Sequence, residues 1–220
     1  MQTGLKMIAV AVAIFLALPI LKESRSGPSV WHRSAAMART EGVETQMAPR
    51  APAQTALPAL RRSTVNDHDM AACARFRVEA LVLSRRDYRF DRTAAFSATD
   101  LALGWGPMSN PALVQEIKIT QSGRFYHWRP NPDARLTPAE IKVSSANMHL
   151  ILQTAAQRAA MKQIGKGDVV IIEGYLVDVT SPRGGQWRSS RVRTDGGAGA
   201  CEIILVERIR RKAPEPAGDL

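Results

Sequence analysis

The sequence predicts an α+β fold, mainly antiparallel. It is expected to form a strongly bent sheet or small β-barrel with one or two short helices, preceded by an N-terminal apolar helix and a flexible linker. Three observations lead there. From about Ala71 onward, short apolar stretches of strand period recur between turn signals. Only residues 154–164 read as a helix of any length. Ahead of Asn66 the chain has one uninterrupted apolar run and otherwise no periodic pattern.

That run occupies residues 7–21, fifteen positions without a charge between Lys6 and Lys22. As a helix it spans roughly 22 Å at about 1.5 Å per residue, short of the ~30 Å hydrocarbon core until snorkelling lysines and flanking turns are added. A basic residue followed by such a run is the layout of a signal anchor or signal peptide, so residues 1–22 are assigned that role. The membrane is the expected partner of residues 7–21. Residues 23–66 hold Pro28, Pro49, Pro52 and Pro58 among Ala, Ser, Thr, Gln and Arg, and read as a disordered linker. The layout favours a single-pass protein of the cytoplasmic membrane with its C-terminal domain extracytoplasmic, or a secreted or periplasmic protein if the segment is cleaved.

The folded domain is expected over residues 71–212, with 213–220 as a tail. Phe76, Val78, Ala80 and Val82 alternate with Arg77, Glu79, Leu81 and Leu83, the pattern of a half-buried strand. Asn110-Pro111 is a helix N-cap followed by proline at the first helical position. Residues 117–128 read as two strands around a Gln121-Ser122-Gly123-Arg124 turn, and Thr137 to Glu140 as a capping box. The helix over 154–164 closes at Gly165. Residues 168–179 are apolar on both faces, which marks a central strand, and Gly174 within it suits a bulge or barrel corner. Further strands are expected over 187–193 and 201–209.

The net charge of +10 comes from 30 Lys+Arg against 20 Asp+Glu, and two cysteines exclude a disulfide-dense mini-protein. Residues 1–65 carry 8 basic and 3 acidic residues, so half the excess belongs to the anchor and linker, where anionic lipid headgroups are near. The remainder is only mildly basic, and nucleic acid is not the expected partner.

The stretch Gly167-Asp168-Val169-Val170-Ile171-Ile172-Glu173-Gly174, following a helix, resembles a strand of an OB-fold or similar small barrel. The strings from Leu101 to Met108, from Ser145 to Leu150 and from Gly199 to Glu202 are similar to those of uncharacterised bacterial membrane-anchored or exported proteins, a resemblance that implies no biochemical role. Ser145 followed by Gly167-Asp168-Val169 loosely resembles the N-terminally anchored serine–lysine peptidases of signal-peptidase type. That family places its lysine on a strand after the serine, whereas residues 169–179 contain none.

Candidate chemistry is sparse. In an extended segment Ser145, Asn147 and His149 share one face, and Ser145 with His149 or a lysine is the candidate catalytic pair. Trp187, Arg191 and Arg193 share a face of the strand expected over 187–193, an aromatic beside two cations suited to an anionic ligand. Cys73 and Cys201 are a possible disulfide if the domain is extracytoplasmic. The histidines and cysteines lack ligand-pair spacing, so no metal and no cofactor are expected. Glycines 196, 197 and 199 precede a strand rather than a helix, unlike a phosphate-cradling loop. The function expected is a non-catalytic binding or envelope-assembly role toward an unknown protein or envelope partner. The alternatives are a serine-dependent hydrolase using Ser145 and single-stranded nucleic-acid binding through the basic-aromatic strand face.

Overall fold

The structure, a computed structural model, describes residues 46–192 and 201–213. The apolar run at 7–21, the linker up to residue 45, Arg193 and most of the C-terminal tail lie outside the described residues. Among the described residues no helix is long and apolar enough to cross a membrane.

The linker expected through Asn66 stops short of it: Ala53–Val65 is strand β1, paired antiparallel with β2, His68–Asp87. Asn66 and Asp67, both at positive φ (47° and 62°), make the two-residue turn between them. Nearly every β1 residue is exposed, so the strand has no buried face to leave a period in the sequence. Its register shifts between Ala56 and Arg61, a span that contains Pro58, which has no N–H to give the ladder.

Strand β2 buries the expected face, with Ala74, Phe76, Val78, Ala80 and Val82 all at most 3% exposed, but it is not half-buried throughout, because Leu81 and Leu83 on the other face are buried as well. It continues through a loop, residues 88–98, to β3, Thr99–Gly104. A 3-10 turn at Gly106–Ser109 and helix α1, Pro111–Val114, follow, with the Asn110 side chain accepting from Ala112 N as N-cap. The hairpin β4, Ile117–Ser122, and β5, Phe125–Pro130, turns through Gly123 and Arg124 at φ of 56° and 71°. Helix α2, Pro138–Val143, has both bonds of the Thr137–Glu140 capping box. Strand β6, Ser145–Ile151, leads to α3, Ala155–Lys162, capped by Thr154 and Gln157. The last strands are β7, Val169–Thr180, β8, Gln186–Trp187, and β9, Glu202–Arg211.

The protein is thus mostly sheet with few short helices. Pairings run β2–β3, β3–β6, β6–β9, β9–β7 and back from β7 to β2, so the sheet bends into a partial ring. Among the described strands only β6–β9 is parallel, and it spans just four residue pairs. Met148, Leu150, Val170, Ile172, Leu176, Ile204 and Val206 pack inside the bend with the buried side of β2. On the outside, the 105–144 segment covers Leu81, Leu83 and Ala102, while Phe96 joins Ile151, Val177 and Val179 with Trp187 against them.

Candidate functional site

The connection between β7 and β9 carries the predicted ligand residues Trp187 and Arg191, but its described part is not a continuous strand. Only Gln186–Trp187 pairs with β7, so period-2 alternation does not run through Arg191. Side-chain bonds shape the segment instead. Asp178 Oδ1 accepts from Ser189 N at 3.1 Å, Ser189 Oγ accepts from Ile203 N at 3.0 Å, and Ser190 N donates to Cys201 O at 3.0 Å. Arg191 Nη2 then reaches Asp178 Oδ2 at 2.7 Å, while its carbonyl accepts from Gln54 Nε2 of β1 at 3.3 Å.

These ties form a groove of about 560 Å³ between the end of β1 and the β7–β9 connection, with Arg62, Arg188 and Arg191 on its walls. Among the described residues that line it, Asp178 is the one carboxylate, and it is bound to Arg191. Neither Arg62 nor Arg188 has a carboxylate partner among the described residues. The groove therefore presents the cationic donors of Arg62 and Arg188, a lining for an anion. Arg62, Arg188 and Asp178 were missed from sequence. Arg62 fell in the expected linker, and its one signal was the Arg61-Arg62 pair just ahead of the Asn66-Asp67 turn.

Trp187 does not offer an open stacking face. Its ring lies 4.3 Å from that of His149 and meets Phe96 edge-on at 5.8 Å. It closes over a second polar centre, on the outer face of β3 and β6. There Asp100, wholly buried, accepts through Oδ1 from Arg124 Nη1 at 2.9 Å. His149 Nδ1 lies 2.9 Å from the same oxygen without hydrogen-bond alignment. Asn147 accepts from Gln121 Nε2 at 2.7 Å and donates to Arg124 O at 3.1 Å, holding the β4–β5 hairpin down.

Ser145, Asn147 and His149 do share one face of β6, but Ser145 and His149 are not brought together. Four residues of strand separate their Cα atoms by about 13 Å. Ser145 Oγ donates to Ile141 O at 2.7 Å and accepts from Tyr126 Oη at 3.2 Å. Burial pushes the Tyr126 phenol up to about 12, so Tyr126 stays neutral near neutral pH and is not a base for Ser145. No lysine approaches Ser145 through any hydrogen bond of the described residues.

The possible disulfide is not formed between Cys73 and Cys201 in this structure. They are turned to different partners, Cys73 Sγ to Arg191 Nη2 at 3.1 Å and Cys201 Sγ to Asn147 Nδ2 at 3.9 Å. Burial and neighbouring Asp178 push the Cys73 thiol up against the opposing pull of Arg191. Among the described residues no group of three His, Cys, Asp or Glu side chains is placed to hold a metal ion. No protein-family model, no curated protein and no solved structure matches this chain.

Proposed function

We propose that this protein is a non-catalytic binding domain, tethered to a membrane through residues 7–21 and placed outside the cytoplasm, that holds an anionic envelope polymer in the Arg62–Arg188–Arg191 groove. The observation that carries the reading is the groove itself, where among the described residues three arginines face one carboxylate that is already engaged by one of them. Its walls are fixed by backbone and serine bonds, so little ordering cost falls on binding. The engagement of Ser145 by Tyr126 and Ile141, away from any base, favours binding over hydrolysis.

We further propose that the bent sheet is an OB-type barrel. Three features support this. The ring order takes β2, β3, β6, β7 and β9 as first to fifth strands; the parallel pair joins the third and fifth; and α3 lies between the third and fourth. Such barrels take ligands at the loop between their fourth and fifth strands, which is where the groove lies.

The test is a titration of the detergent-solubilised full chain with a sulfated or phosphorylated polysaccharide, a neutral polysaccharide and a single-stranded oligonucleotide. The expected result is salt-sensitive binding of the anionic glycan, weakened about tenfold or more by Arg62→Ala with Arg188→Ala. Equal binding of the neutral polymer, or tighter binding of the oligonucleotide at matched charge, overturns the assignment. A C-terminal reporter fusion active only outside the cytoplasm tests the location.

A further inference from the structure

The loop between β2 and β3, residues 88–98, contains two phenylalanines with opposite fates. Phe96 is 8% exposed and packs on His68 at 4.5 Å, whereas Phe90 is 97% exposed. The loop around Phe90 is pinned on all sides. Asp91 Oδ1 accepts from Thr93 N at 2.9 Å, Ala94 N at 2.8 Å and Arg124 Nη2 at 2.8 Å. The Arg124 guanidinium lies 3.8 Å over the Tyr88 ring, and Tyr88 N donates to Ala98 O at 2.8 Å. On the other flank Asn66 Nδ2 donates to Ala95 O at 2.6 Å. A well-tied loop thus holds one large apolar side chain out into solvent.

The surroundings of Phe90 are cationic. Arg86, Arg89 and Arg92 are all exposed. The two nearby carboxylates are occupied, Asp87 by Arg85 at 3.0 Å and Asp91 by Arg124 at 2.8 Å. Phe125, 42% exposed and next to Arg124 at the hairpin tip, adds apolar surface beside the same bridge. A protruding aromatic flanked by arginines fits an anionic bilayer surface, with the ring at the headgroup level and the guanidinium groups on phosphates. A second copy is disfavoured as occupant, because a two-fold contact here sets Arg89 and Arg92 against their own counterparts.

We propose that loop 88–98 is a membrane-docking tip that seats Phe90 among the headgroups of an anionic bilayer. The inference rests on the tethered reading, and the chain length permits it. The described chain begins at Gln46, and Ala48 O accepts from Gly106 N just past one end of β3, while the loop joins β3 at its other end, Thr99. Six residues of strand separate these points by about 20 Å. The 24 residues from Lys22 to Gln46 reach at most about 80 Å.

Hydrogen exchange of the full chain in single-copy lipid nanodiscs tests it. In discs containing phosphatidylglycerol the amides of residues 89–92 should exchange about tenfold slower than in pure phosphatidylcholine discs, as for a loop docked nine-tenths of the time. The exposed turn at residues 183–185 should be unchanged. Phe90→Ser, at a position too exposed to unsettle the fold, and Arg89→Ala with Arg92→Ala should each abolish the slowing. Equal exchange in the two lipids overturns the proposal, as does slowing that appears only when two copies share a disc. Failure of the chain to incorporate removes the tether reading alone, and the same exchange comparison with phosphatidylglycerol vesicles then decides the docking.

Discussion

Arg124 donates through Nη1 to Asp100 Oδ1 at 2.9 Å, joining the tip of the β4–β5 hairpin to a carboxylate with no exposed side-chain area. The same guanidinium also donates to Ser97 O at 2.9 Å and to Asp91, so one side chain ties hairpin, loop and sheet together. Its backbone sits at a φ of 71°, which the Gly123-Arg124 turn imposes. Arg124→Ala leaves a buried carboxylate without its donor, and breaking a buried pair on one side costs about 3–5 kcal/mol. Denaturant unfolding should show a loss of that size. Arg124→Met with Asp100→Leu should recover part of it, because the lone buried charge is then gone.

Asp91 makes the same junction sensitive to acid. Burial pushes its carboxyl up, but hydrogen bonds from Arg124 and Thr93 and the charge of Arg124 outweigh this and hold it at about 2. An unfolded aspartate titrates near ~3.9, so the folded value is the lower one. The contribution of Asp91 to stability is complete above about pH 4 and is lost as the pH falls toward about 2. Following the Arg124 Nε–H resonance by NMR should show a transition with that midpoint, and Asp91→Asn should remove it. Asp91 is more than a third exposed, so the hairpin tip should loosen without global unfolding.

Cys73 provides a chemical reporter of the groove. With its thiol raised by burial and Asp178, it should alkylate more slowly than an unperturbed cysteine at pH 8, since the thiolate is the nucleophile. Asp178→Asn removes a raising charge and should speed the reaction. Arg191→Ala removes the lowering one and should slow it. Mass spectrometry of iodoacetamide-treated protein reads both rates at Cys73.

These sites differ in how far the sequence exposed them. Strands with a buried face were legible: the alternation of β2 around Phe76 and the doubly apolar β7 both mark core strands, and Thr137 and Thr154 announce their helices through local capping chemistry. Strand β1 was not, because it is held by backbone pairing and buries almost nothing. The shared face of Ser145, Asn147 and His149 followed from strand period, yet their partners are set by a hairpin some twenty residues earlier in the chain. The period-2 reading of Trp187 and Arg191 failed because bonds to Asp178 and Ile203 replace strand pairing after Trp187. Long-range side-chain ties of this kind leave no periodic trace.

Gly174 combines both situations. Its place in a doubly apolar strand suggests a bulge, and the β7–β9 register does shift between Glu173 and Gly174. The reason for glycine is a close approach of backbone: a Cβ there would lie 2.1 Å from Leu205 O and 3.1 Å from Glu207 N. Neither neighbour is a side chain that can swing away, so Gly174→Ala must part β7 from β9 at this point. The expected cost is about 3 kcal/mol or more, at the upper end for overpacking. In thermal unfolding this corresponds to a fall of roughly 6–12 °C for a chain of this size. Gly165→Ala is the matched control, since its nearest neighbour would be Asp168 Oδ2 at 4.0 Å, and it should change stability by less than about 1 kcal/mol. If Gly174→Ala is as mild as Gly165→Ala, the strands are not in the tight contact that closes the bend. Anionic-glycan binding by Gly174→Ala should weaken along with stability, because the segment that lines the groove is tied through Ser189 to Asp178 of β7 and to Ile203 of β9, the two strands this substitution separates.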